Sequence, residues 1–174
     1  YVKYGGNNDI RGGGHFSGRL TAPLVFAGSV AKQILSQKGV TIGAHIKQIG
    51  SVCDAVSDLN KTDKSLLDTL SSSTFSLIDE TKEKAMRDEI EKARLSLDSV
   101  GGIIECFAVG LPVGLGGNMF DTVEGKLASI LFGVPAVKGV EFGIGFGFAD
   151  KRASEVNDQY EIKNGRVATL SNNN

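Results

Sequence analysis

The chain has no tryptophan, only three prolines, two cysteines and two histidines among its 174 residues. Each scarcity excludes something. Cys53 and Cys106 lack the paired spacing of a zinc module, and two cysteines do not make a disulfide framework. Their apolar surroundings read as those of buried, reduced thiols in a cytosolic protein. Charge of either sign is also in short supply as an excess: 19 Lys and Arg stand against 20 Asp and Glu, a formal net charge of −1. Nothing in that balance draws the protein toward nucleic acid or a membrane surface, so any anion site must be local. No apolar run is long enough to span a bilayer, and no signal-peptide pattern is visible. At this length a single domain over 1–174 is expected, burying roughly 70% of its unfolded surface.

Glycine is what the chain has in plenty, 23 residues in all. Three fall together in Asp9-Ile-Arg-Gly-Gly-Gly-His-Phe-Ser-Gly-Arg-Leu-Thr-Ala-Pro23. Consecutive glycines strip a loop of side chains and let its backbone N–H groups approach a ligand. Arg11, His15, Ser17 and Arg19 add donors, and a helix-periodic run follows: Leu24, Val25, Ala27, Gly28, Ala31, Ile34, Leu35. A glycine loop feeding a helix N-terminus beside arginines suits phosphate or carboxylate. The alternative is a tight surface turn with solvated charges. The helix begins at Ser17 or at Thr21; Pro23 is comfortable only in a first turn, which the later start provides.

Val40–Ile49 follows as a strand, with Val40, Ile42, Ala44 and Ile46 on one face. His45 then falls on the opposite face with Thr41 and Lys47, as a solvated or hydrogen-bonded residue. The stretch 51–78 is polar, with one short helical piece near Lys64–Leu70. A helix is expected over Glu80–Leu97, capped by Asp79, with an apolar stripe of Met86, Ile90, Ala93 and Leu97 and acid-first ion pairs on its wet face. Gly101–Val109 reads as a strand and Asp121–Phe132 as a helix capped by Asp121 and ended by Pro135. A long strand over Ala136–Phe148 is expected next. Gly143, Gly145 and Gly147 would give it one bare face, covered by a helix, a sheet or a planar ligand. Tyr160–Leu170 reads as a hairpin around Asn164-Gly165.

Familiar nucleotide motifs fail. From Gly12 the sixth position is Ser17, and from Gly143 it is Phe148, so neither cluster is a dinucleotide fingerprint. Gly125-Lys126 is followed by leucine and lacks the upstream glycine of a phosphate loop.

Gly14-His15-Phe16-Ser17-Gly18-Arg19-Leu20-Thr21, with Val25 and Gly28-Ser29 beyond, resembles the central signature of the chorismate synthase family. A second block agrees: Val100-Gly-Gly-Ile-Ile-Glu105, Pro112-Val-Gly-Leu-Gly116, Phe120-Asp121, Leu127-Ala128 and Pro135–Phe146. The resemblance spans nearly the whole chain. It implies an α+β fold of helices sandwiched between antiparallel sheets, and a homo-oligomer, tetrameric in the family. The implied reaction is anti-1,4-elimination of phosphate from 5-enolpyruvylshikimate 3-phosphate to give chorismate. The implied cofactor is reduced FMN, with NADPH as a candidate reductant, and the implied location is the cytoplasm.

By the same resemblance Arg19 holds substrate anion, while His15, Phe16, Ser17, Pro135 and Ala136 hold the flavin. His15 and Phe16 stand where the family usually has arginine and serine, and Pro135 where asparagine is commoner. The family's proton-transfer residues have no counterpart in the chain, which therefore resembles the central part of a longer enzyme. A non-catalytic structural and oligomerisation core is the rival expectation for the fragment.

Overall fold

The computed structural model describes residues 1–57, 62–163 and 165–173, the side chains of His15 and Arg166 excepted. In chain order the elements are α1 (Thr21–Gln37), β1 (Thr41–Ile49), β2 (Val52–Cys53), α2 (Lys64–Ser72), α3 (Glu83–Leu95), β3 (Gly102–Val109), α4 (Val123–Leu131), α5 (Ala153–Val156), β4 (Tyr160–Lys163) and β5 (Arg166–Thr169). Strands β2, β1 and β3 form one antiparallel sheet in that order, and β4 with β5 forms a hairpin. This is an α+β arrangement, as expected. Asn164, at the expected hairpin tip, lies outside the described residues.

Helix α1 starts at Thr21, the later of the two candidate starts, so Pro23 sits in the first turn where its missing N–H costs nothing. Ser17 instead caps the short 3-10 turn Gly18–Leu20, accepting from the Arg19 amide at 3.4 Å. Gly39, at φ 81°, turns the chain out of α1 and into β1.

The polar stretch after β2 supplies the core helix. Asp63 caps α2 by accepting from the Leu66 amide at 2.9 Å. Leu67 and Leu70 of α2 then bury against Phe107 of β3, with Leu66, Ile78 and Val109 packed around them. Asp79 caps the 3-10 turn Glu80–Lys82 that leads into α3, accepting from the Thr81 amide at 3.0 Å. Met86 is fully buried, whereas Leu97 lies past the helix end, exposed and at φ 57°. The stripe expected on α3 therefore shortens, because the helix stops at Leu95 before the last apolar position. Thr122 caps α4 in place of Asp121, its Oγ1 accepting from the Gly125 amide at 3.1 Å. Asp121 pairs with Lys126 instead, at 2.8 Å.

Two expectations are overturned, the burial of the cysteines and the strand over 136–148. The sheet keeps the expected division into two faces, with His45 hydrogen-bonded on the face opposite Ile42, Ala44 and Ile46. Gly43 and His45 of β1 are buried with Phe107, their cross-strand neighbours being Phe107 and Glu105. The apolar pairs Ile42–Ala108, Ala44–Cys106 and Ile46–Ile104 form the other face, where Ile104 is 66% exposed. The polar face can be buried because Gly43 has no side chain to hold α2 away and because both nitrogens of His45 are satisfied by carboxylates. Cys106 belongs to the open face, and both cysteines are exposed free thiols, not buried ones.

The second correction concerns 136–148, which is not a strand. It runs without regular structure over 137–142 and turns at Gly143 into a 3-10 turn at Gly145–Asp150. Gly143 and Gly145 adopt φ 56° and 57°, a left-handed geometry that no strand uses. Their alternation serves local bends, not a bare sheet face. Phe146 is 81% exposed. No helix among the described residues is long and apolar enough to cross a membrane.

Candidate functional site

The loop before α1 is built by its glycines. Gly12, Gly13 and Gly14 all have positive φ, at 65°, 77° and 49°, inside the turn Arg11–Phe16. Three left-handed residues in a row are inaccessible to ordinary side chains at acceptable cost, so the sequence triplet dictates the shape. A Cβ added at Gly12 would find only the Arg19 Nη1 within reach, at 3.8 Å, and at Gly13 only Ser17 Cβ, at 3.5 Å. The loop is thus an open stretch of backbone with the Arg19 guanidinium beside it.

The two arginines differ. Arg11 is held by Asp9 through Nε and Nη2, both at 3.0 Å, and this pairing keeps the Asp9 carboxyl below its ordinary range. Arg19 is exposed and makes no ion pair among the described residues. Its charge remains available to an incoming anion. Phe16 is exposed, with its ring 6.4 Å from that of Tyr4 at a tilt of 52°. Ser17 is half-buried, and His15 lies in the same turn with its side chain outside the description. Just upstream, Asn8 Oδ1 is buried without a hydrogen-bond partner among the described residues.

Pro135 and Ala136, both exposed, sit after α4 in a tight turn closed by the Val137 amide donating to the Val134 carbonyl at 3.3 Å. Ala136 has φ 70°, one of two non-glycine residues with positive φ among those described. Proline followed by a left-handed residue is the pattern of a type II turn, a position that favours glycine or asparagine. No hydrogen bond or ion pair between described residues joins this turn to the 11–19 loop.

Sequence reasoning thus found the loop and Arg19 beside it. It missed the left-handed Ala136, although the Pro-Ala pair after a helix was a usable signal, and it missed the unpartnered Asn8, which carries none.

Fold and loop define a class: an α+β protein whose first helix is preceded by a side-chain-free glycine loop and an arginine that makes no ion pair among the described residues. The comparisons with known proteins narrow that class. The family model described as chorismate synthase matches residues 1–174. The chain belongs to the chorismate synthase family. It is 51% identical over 172 residues to chorismate synthase of Pyrococcus abyssi, covering 99% of this chain and 46% of that protein. Chorismate synthase of Thermococcus kodakarensis is 48% identical over 172 residues, with the same coverage. A solved crystal structure of chorismate synthase superposes with a TM-score of 0.75 at 29% identity, covering 90% of this chain and 50% of that one. The chain spans about half the length of the curated relatives it matches.

Proposed function

We propose that the protein to which this chain belongs eliminates phosphate from 5-enolpyruvylshikimate 3-phosphate to give chorismate, with reduced FMN as cofactor. The observation that carries the reading is Arg19, a cation with no ion pair among the described residues, beside three left-handed glycines in a chain matched by the family model along its whole length. A substrate with one phosphate and two carboxylates calls for arginine, whose planar fork binds such groups in a bidentate way. Arg19 would bind and orient a substrate anion.

The residues present fit a phosphorylated aromatic cofactor. Gly12, Gly13 and Gly14 leave the loop backbone without side chains of its own, Ser17 offers a hydroxyl, and the exposed Phe16 offers an apolar face. By the family resemblance, Pro135 and Ala136 would be a second flavin-contacting segment. Reduced FMN, when bound, supplies the electron-rich ring that lets phosphate depart without net oxidation or reduction. The chain's own residues then bind, orient and desolvate. Proton-transfer groups are expected outside 1–174. The reading carries with it a cytoplasmic location and a homo-oligomer.

The test is to mix the chain with FMN and measure flavin absorbance retained through gel filtration. Retention is expected. Flavin that elutes free, while full-length Pyrococcus abyssi chorismate synthase retains it under the same conditions, removes the cofactor part of the reading. A second reading, a structural core that assembles without catalysis, is favoured by α1, which buries none of its residues although Leu24, Val25 and Phe26 are apolar. Anaerobic phosphate release from the substrate with reduced FMN separates the two.

A further inference from the structure

Phe16 is 68% exposed at the end of the glycine loop, and its ring is paired with that of Tyr4 on the far side of the loop. The ring centroids lie 6.4 Å apart at a tilt of 52°, within the range in which the edge of one aromatic ring attracts the face of another. The proposed reaction gives Tyr4 no part.

The N-terminal turns put Tyr4 there. Gly5 and Gly6 have φ 59° and 82°, left-handed values that fold the chain back on itself. The Gly6 amide donates to the Tyr1 carbonyl and the Asn7 amide to the Tyr4 carbonyl, both at 3.1 Å. The Tyr1 ring lies over Gly6 so closely that a Cβ there would meet it at 2.7 Å. The Lys3 ammonium stands 5.6 Å from the Tyr4 ring centroid, a cation–π contact. Tyr4 is thus held by its own turn and reaches out from it to Phe16.

That contact has two effects. It closes the segment between Tyr4 and Phe16, whose left-handed glycines at 5, 6, 12, 13 and 14 give the free backbone many other conformations. It also restricts the direction of an exposed phenyl ring before any ligand arrives, which lowers the ordering cost of binding.

The groups around the loop divide by chemistry. A Cβ on Gly12 would find Arg19 Nη1, and one on Gly13 would find Ser17, so the polar groups gather against the glycines. Phe16 and Tyr4 offer aromatic surface instead. A ligand suited to both has an anionic end and a planar aromatic end. FMN has the two together. The substrate of the proposed reaction is anionic but not aromatic, so the ring pair favours the cofactor over the substrate.

We propose that Phe16 is a stacking surface for the flavin ring and that Tyr4 is the positioning residue that sets it. The inference rests on the cofactor reading above and adds which side chains meet the ring of the flavin, as distinct from its phosphate.

The experiment is a titration of the chain with oxidised FMN, followed by flavin fluorescence. An indole in contact with a flavin quenches its emission by electron transfer, and the chain has no tryptophan of its own. Phe16→Trp should therefore lower the emission of bound flavin tenfold or more below that in the parent. Phe16→Ser should raise the Kd fivefold or more. Adding Tyr4→Leu to Phe16→Trp should restore the emission of bound flavin threefold or more, whereas Tyr4→Phe, which keeps the ring, should leave the quench in place. A loss of stability alone changes how much flavin binds, not the emission of the flavin that is bound. Unquenched flavin on Phe16→Trp, or parent-like affinity in Phe16→Ser, overturns the stacking surface and leaves the cofactor reading standing. A quench that Tyr4→Leu does not relieve overturns the role of Tyr4. A parent chain that holds no FMN, where full-length Pyrococcus abyssi chorismate synthase does, overturns the cofactor reading and this inference with it.

Discussion

Leu67 occupies the space that a side chain on Gly43 would need: a Cβ there would lie 2.9 Å from Leu67 Cδ2 and 3.2 Å from Leu67 Cα. The contact fixes how close α2 can sit to the sheet. Gly43→Val should therefore push helix and strand apart, costing about 1–3 kcal/mol as overpacking usually does. Leu67→Ala should cost more, about 2–5 kcal/mol, because it empties the centre of the core. Urea unfolding of the two variants checks the order as well as the sizes.

Ala136 offers a test in the opposite direction. A left-handed alanine costs about 1–2 kcal/mol relative to a residue without Cβ. Ala136→Gly should recover part of that and raise the melting temperature, while Ala136→Val should lower it. A thermal melt in which Ala136→Gly is the less stable protein contradicts the turn geometry.

For Arg19 the expectation is a separation of effects. The side chain is exposed, so Arg19→Ala should change the stability of this chain by no more than about 0.5 kcal/mol. In the full-length enzyme the same change should remove a partner of a desolvated anion, with a loss of about 2–5 kcal/mol in transition-state binding. Unfolding curves and steady-state kinetics on the same variant report the two effects. Near-normal turnover and substrate affinity would remove Arg19 from the site.

Acid behaviour follows from Glu105. Its carboxyl is depressed from the ordinary 4.5 to about 2 in the folded chain. A depressed carboxyl contributes stability that is fully present above about 4.5 and is lost as pH falls toward 2. Stability should thus decline between about pH 4.5 and 2 in the parent and more shallowly in Glu105→Gln. Asp54, also lowered, adds to the slope in both proteins, so the comparison isolates Glu105.

The parts of the fold legible in the sequence were those governed by local chemistry. Asp79 announced a cap, Pro23 narrowed the helix start to two candidates, Ser17 and Thr21, and Gly12 to Gly14 announced a backbone that only glycine adopts. The orientation of the sheet was not legible. Alternation in 40–46 shows that two faces differ, but which face is buried depends on α2, on Gly43 and on carboxylates at 54 and 105. Those partners lie 9 and 60 residues from His45. The 136–148 stretch misled for a related reason: alternating glycine and phenylalanine has the period of a strand, yet φ at Gly143 and Gly145 is a backbone property that periodicity does not report. At the candidate site, Arg19 was visible from its neighbours. The strain at Ala136 and the orphaned Asn8 oxygen arise from three-dimensional packing.

The ladder between β1 and β3 has a kinetic consequence. It joins residues 41–49 to 102–109, with α2 and α3 lying in the connection between them. Closing a loop of that length is entropically costly before any ladder bond forms, and non-local pairing of this kind slows folding. The two helices, α2 capped by Asp63 and α3 led in by the Asp79-capped turn, can form early and shorten the effective search. Variants in the α2–Gly43 contact should then act on the folding rate, and variants on the solvent side of α3 on the unfolding rate. The chain would assemble from its middle outward, with strand pairing as the late, rate-setting event.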